Sequence, residues 1–238
     1  MHPFSTKILA LGFVFAIFMS CSPEHRGATT LPTPETFQDF TLSDQNGNPF
    51  TFSSLRGKPV VVSFLFTNCD DVCSYLSVKL KDAQDRLGSE KDKVELVVIS
   101  TDPEGDTQEA IAAYTTAMGM EGRWHYLRGS REQMEAVWKI FGVAVAKITK
   151  EEAQMSHMAS EKLGHDLETP GSHTLPTEGL SKSQQDLAAK LITLFAKAEY
   201  EISHTAPYWV LDKEGRKVSV LGPQVTPQEI EAEIRKQL

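Results

Sequence analysis

Thr67-Asn68-Cys69-Asp70-Asp71-Val72-Cys73 follows directly on the run Val60-Val61-Val62-Ser63-Phe64-Leu65-Phe66. The run is apolar almost throughout, which predicts a central strand buried on both faces. Beyond it, apolar residues recur at Val72, Leu76 and Leu80, the spacing of one helix face. A helix is predicted over residues 72–87, stopped by Gly88. Two thiols therefore sit where a buried strand hands over to a helix. With Cys69 just outside the helix and Cys73 in its first turn, the four-residue spacing can bring both sulfurs to one side. That geometry can grip one soft cation or close a disulfide.

Outward from this junction the chain alternates strands and helices. Residues 37–42 and 50–52 alternate apolar and polar around the turn set Asp44-Gln45-Asn46-Gly47-Asn48-Pro49, which predicts a hairpin. Residues 94–100 form a second buried strand. Asp106 with Glu109 makes a capping-box-like start for a helix to about residue 118. A short strand follows at 124–127. Ser130 with Gln133 caps a further helix that ends at Gly142, and 143–148 alternates as a strand. Residues 150–200 interrupt the pattern with an insert that closes on an amphipathic helix from Ser183, apolar at Leu187, Leu191, Leu194 and Phe195. A strand over 204–211, the turn Asp212-Lys213-Glu214-Gly215, a partner strand and a helix opened by Thr226-Pro227-Gln228-Glu229 complete the chain. The expectation is an α/β fold: a mixed sheet flanked by helices, with an N-terminal hairpin and an insert before the last hairpin. A thiol pair at the first strand-to-helix junction of such a fold places it among thioredoxin-like domains.

The 238 residues carry 40% hydrophobic and 24% charged side chains and a net charge of −8. That suits one globular domain with extras. It argues against a nucleic-acid partner, since phosphate binding needs clustered Lys and Arg. Lys7 precedes a short apolar run that ends at Ser20 and Cys21. The run matches a signal-peptide core and is too short to span a bilayer. Phe18-Met19-Ser20-Cys21 resembles a bacterial lipoprotein cleavage box, although Phe18 stands where Leu is usual. The resemblance implies a signal peptide over 1–20, a lipid on Cys21 and a membrane anchor. The domain would then be exported, facing the periplasm or the cell exterior. Residues 21–36 lack apolar periodicity and contain three Pro, so they read as a flexible tether, with the domain over 37–238.

Of three Cys, lipidation of Cys21 would leave only Cys69 and Cys73. In an oxidising compartment two such thiols pair unless they bind metal or are kept reduced. The helix N-terminus lowers a thiol pKa. Asp70 and Asp71 act the other way and disfavour thiolate unless a cation sits between them. They tilt the pair toward a metal ligand set, against the commoner use of Asp as a helix cap. Soft thiolates select copper(I), zinc or iron–sulfur clusters, and an added imidazole also holds copper(II). Among seven His, spacing alone does not choose one. His204, opening the strand predicted after the insert, is the leading candidate. Met155, His157 and Met158, with His165 and His173, have the residue types of a second copper site; a polar surface excursion with incidental His and Met explains them better.

Four pieces of the chain, in order, resemble the Sco/SenC family of copper-binding assembly proteins. They are residues 64–73; Ser100-Thr101-Asp102-Pro103-Glu104-Gly105-Asp106-Thr107; Leu127-Arg128-Gly129-Ser130 through Phe141-Gly142-Val143; and His204-Thr205-Ala206 running into Leu211-Asp212-Lys213-Glu214-Gly215. The resemblance implies a thioredoxin-like fold and copper held by Cys69, Cys73 and His204. It implies delivery of copper to the copper A centre of a cytochrome c oxidase. The partners would be that oxidase's copper-bearing subunit or another cuproprotein, a copper donor protein and a thiol reductant. A disulfide between Cys69 and Cys73 would be the resting form. A second reading is enzymatic: a thiol–disulfide oxidoreductase in which Cys69 attacks a client disulfide and Cys73 resolves it. A peroxidase of related fold is a third, which Asp70 and Asp71 oppose. The chain departs from the family at Asp70 and Ser74, where Pro is usual, at Gly105, where Arg is usual, and in the length of its insert.

Overall fold

The structure, a computed structural model, describes residues 27–69, 72–152, 155, 176–195, 197 and 200–238. Within them the strands are β1 (Thr29–Glu35), β2 (Thr41–Ser43), β3 (Pro49–Thr51), β4 (Val60–Leu65), β5 (Glu95–Ser100), β6 (His125–Leu127), β7 (Val145–Thr149), β8 (Tyr200–His204), β9 (Tyr208–Leu211) and β10 (Lys217–Leu221). The helices are α1 (Cys73–Arg86), α2 (Gln108–Met118), α3 (Arg131–Phe141), α4 (Lys182–Phe195) and α5 (Pro227–Arg235).

All six residues of β4 are buried, as an unbroken apolar run requires. It pairs parallel with β5 from Val60↔Glu95 to Leu65↔Ser100 and antiparallel with β9. The sheet order is β1-β10-β9-β4-β5-β6, a mixed sheet with the predicted thioredoxin-like architecture. Successive side chains of β4 point to opposite faces and so divide the core in two. Val61 and Leu65 join Leu76, Leu80, Leu191, Ile230 and Ile234 on one face. Val60, Val62 and Phe64 join Met134, Val137, Trp138 and Phe141 on the other. Helices α1, α4 and α5 thus cover the first face and α3 the second.

The capping signals predicted for α3 and α5 are both present. Ser130 and Gln133 form a capping box, and α3 stops at Gly142 with φ of 65°, a backbone only glycine adopts without strain. Thr226, Pro227 and Glu229 start α5 as predicted. At α2 the expectation fails. The N-cap is Thr107, whose hydroxyl accepts from Ala110 N. Asp106 is wholly buried and engaged elsewhere. The Asp-x-x-Glu pattern is the same for a cap and for a buried carboxylate, and only long-range partners separate them.

Three further differences bear on the site. Part of the predicted tether is β1, which pairs antiparallel with β10 (Thr29↔Val220, Thr30↔Ser219, Glu35↔Lys217). Nearly all its residues are exposed, so no apolar periodicity marks it, and Pro32 and Pro34 are tolerated because it is an edge strand. β2 and β3 form the predicted hairpin, but as a ribbon apart from the main sheet. The strand predicted over 204–211 is confined to β9, and its first residue, His204, instead closes a separate strand, β8, that starts at Tyr200 in another sheet. β8 ends at His204, and β9 begins only after Pro207, which lacks the N–H a ladder needs. β8 pairs with β7 in a separate two-stranded ribbon, from Val145↔His204 to Thr149↔Tyr200. The insert therefore leaves and re-enters the fold at the far end of that ribbon. Its α4 packs Ala188 and Leu191 into the core, and Phe195 meets Tyr114 edge-on at 5.3 Å.

Candidate metal centre

Cys73 is the first residue of α1 and is 0% exposed; Cys69, in the loop before it, is 5% exposed. Both carry thiols rather than a disulfide between them. The entry to their loop is fixed by a buried carboxylate. Asp106 Oδ1 accepts from the amide and the hydroxyl of Thr67 at 2.7 and 2.8 Å. Its Oδ2 accepts from Ser100 Oγ at 2.6 Å and Tyr126 Oη at 3.1 Å. Burial pushes the Asp106 carboxyl up to about 6, against the pull of those hydrogen bonds. Thr67 just past β4, Ser100 at the end of β5 and Tyr126 in β6 thus converge on one side chain.

Buried tyrosines pack around the first turns of α1. Tyr114 Oη lies 3.0 Å from Ser77 Oγ, which donates to the Cys73 carbonyl at 2.9 Å. Tyr208 Oη donates to the Leu76 carbonyl at 2.9 Å. Burial raises the phenol pKa of Tyr114, Tyr126 and Tyr208, and proximity to Cys73 adds to each. In such surroundings thiolate charge needs a compensating cation.

His204 is half-buried at the end of β8. Its ring stands edge-on to Phe66, centroids 5.9 Å apart. Phe66 shares an apolar cluster with Cys69, Cys73 and Ile202. The His204 Nδ1 lies 2.9 Å from the Thr205 carbonyl. A carbonyl only accepts, so Nδ1 carries the proton and Nε2 the lone pair. Burial lowers the imidazole pKa, with that hydrogen bond opposing. The neutral ring is the form that binds metal.

The structure thus brings His204 to the segment that leads into the thiol loop, across Phe66. Among the described residues, no three His, Cys, Asp or Glu side chains form a ready-made metal cluster. Cys21, Asp70, Asp71, His157, Met158, His165 and His173 lie outside the described residues. Met155 is 58% exposed. A cavity of about 360 Å³ lies beside the 103–104 loop, lined by Arg128, Ser130 and Arg131 among others, and none of the three predicted ligands lines it. Sequence reasoning missed two supports: the Thr67–Asp106 grip, whose partners lie 39 residues apart, and the hydrogen bond from Tyr200 Oη to Asp102 Oδ2. The Asp-containing motif at 102–106 was visible; nothing marked Tyr200. Among the described residues, no helix is long and apolar enough to cross a membrane.

Residues 28–196 match the SCO1/SenC family model. That span holds both cysteines and stops short of His204. The chain is 26% identical to the SCO1 protein homolog of Bacillus subtilis over 158 residues, 65% of this chain and 79% of that protein. Two other curated relatives are matched over 61% and 57% of their length. Among solved structures it is similar to Bradyrhizobium japonicum ScoI with copper bound, at 25% identity and a TM-score of 0.59, covering 84% of this chain and 98% of that one. It is also similar to apo Sco1 from Thermus thermophilus, at 26% identity and a TM-score of 0.60, covering 90% and 96%.

Proposed function

The chain belongs to the SCO1/SenC family, and from that premise we propose that it is a copper chaperone. It takes copper on the sulfurs of Cys69 and Cys73 and on Nε2 of His204. It hands the ion to the copper A centre of a cytochrome c oxidase. The observation that carries this reading is the seating of the His204 ring against Phe66, in the cluster that contains both cysteines. Two thiolates and one neutral imidazole suit copper(I) and also hold copper(II). The cation cancels thiolate charge in a buried setting that would otherwise disfavour it. The copper bound in the similar Bradyrhizobium protein supports the choice of metal.

Copper is cargo here. A donor protein supplies it, and the acceptor's ligands replace Cys69, Cys73 and His204 one at a time, so the ion is never released to water. Both sulfurs must be reduced for this. A disulfide between them is the resting form, opened by a thiol reductant. The chain works outside the cytoplasm, anchored by lipid on Cys21.

Copper titration of the reduced protein against a competing chelator, beside His204→Ala, tests the reading. One tightly held copper in the parent and weakening of about tenfold or more in the variant are expected, since losing even a support of a ligand costs about 10–100-fold. A parent that holds no copper yet rapidly reduces a model disulfide would replace the chaperone with an oxidoreductase.

A further inference from the structure

The loop at residues 100–107 touches both halves of the site. Through Asp106 it holds Thr67 on the thiol side. Through Asp102 it holds the ribbon that carries His204. Asp102 is wholly buried. Its amide donates to Ser100 Oγ at 3.1 Å, its Oδ1 accepts from Gly105 N at 3.1 Å, and its Oδ2 accepts from Tyr200 Oη at 2.5 Å. The contact passes directly over Gly105. A Cβ there would lie 2.1 Å from Asp102 Oδ2 and 2.4 Å from Tyr200 Oη. No side chain fits, so the departure at this position in the sequence is a condition of the contact.

Tyr200, Ile202 and His204 alternate along β8 and share one face. Each has its own anchor: Asp102 for Tyr200, the apolar core for Ile202, Phe66 for His204. Lys147 Nζ sits 3.8 Å over the Tyr200 ring and 3.8 Å from Glu104. Four residues of strand separate the two ends of this face, about 13 Å. With Ile202 as the middle contact, freeing the Tyr200 end allows the ribbon to pivot and carries the His204 end with it.

We propose that Tyr200, latched to Asp102 across Gly105, is a positioning residue that sets where His204 meets the thiol loop. The proposal rests on the copper-site reading above. It assigns to one loop the spacing between the two halves of that site: one carboxylate grips the thiol half and the other grips the imidazole half.

The test uses the full chain with Tyr200→Phe, which removes one hydroxyl and keeps the ring under Lys147, and Gly105→Ala, whose methyl displaces Tyr200 from Asp102. Two signals are read: the His204 ring resonance in the metal-free protein, which reports the Phe66 ring current, and the thiolate-to-copper(II) absorption band with the copper affinity. The expected result is a displaced His204 resonance in both variants, copper affinity about tenfold weaker, and an absorption band moved toward that of His204→Ala. An unmoved His204 resonance in Tyr200→Phe overturns the proposal whatever copper does. A moved resonance with unchanged copper affinity and band also overturns it. A moved resonance in a protein whose parent holds no copper upholds the positioning and removes the chaperone reading.

Discussion

Cys73 stands at the head of a helix pressed into the core, and Cys69 follows a segment at the end of β4 that Asp106 ties to β5 and β6. His204 ends a two-stranded ribbon separate from the six-stranded sheet. The thiol half inherits its geometry from the whole fold. The imidazole half depends on a handful of individual contacts: Phe66, Ile202, Asp102 with Tyr200, and the exchange between Ala144 and Thr205. The contrast teaches that the imidazole end of the proposed ligand set can be displaced without disturbing the thiol end.

The sharpest way to break this contrast is through the core. Phe64→Ala should cost about 3–5 kcal/mol in urea unfolding, since Phe64 is fully buried in β4 and meets Phe141 at 5.4 Å. A loss below about 1 kcal/mol would mean that β4 does not underwrite the thiol half. Asp106→Asn comes next. Folding moves the Asp106 carboxyl from 3.8 to about 6, so between those values the folded state binds more proton than the unfolded state. The stability this group contributes is therefore greatest below pH 4 and is lost as pH rises through 6. The difference is on the order of 3 kcal/mol. Stability measured from pH 4 to 7 should decline less steeply in the Asn variant than in the parent, and parallel curves would show that Asp106 does not titrate in this way. The smallest effect belongs to the ribbon surface. Lys147→Met removes a half-exposed ion pair with Glu104 and the charge over Tyr200. Thermal unfolding should register less than about 1 kcal/mol. A larger loss would show the ribbon to be coupled to the core more tightly than its contacts indicate.

The same contrast explains what the sequence could reveal. The thiol half is local: a buried strand, two cysteines and a helix face lie within about 25 residues, and each element formed within a residue or two of its predicted bounds. The ribbon half is not. The run predicted over 204–211 joins His204, the last residue of β8, to β9, and only the partners across each ladder show that the two belong to different sheets. β1 escaped notice because an edge strand with both faces exposed has no apolar alternation to display. Asp106 passed for a helix cap because its defining partners, Thr67 and Tyr126, are remote in sequence. Tyr200 carried no local signal at all; its role follows from the empty space at Gly105.

Thr149 and Tyr200 face each other as the last pair of the ribbon. A chain that departs and returns through facing partners closes its own loop, and the cost of lengthening such a loop grows only slowly, by about 0.6 kcal/mol per doubling. The two ends of the span 150–199 are thus held side by side, next to the Tyr200 contact with Asp102 at the end of the strand away from His204.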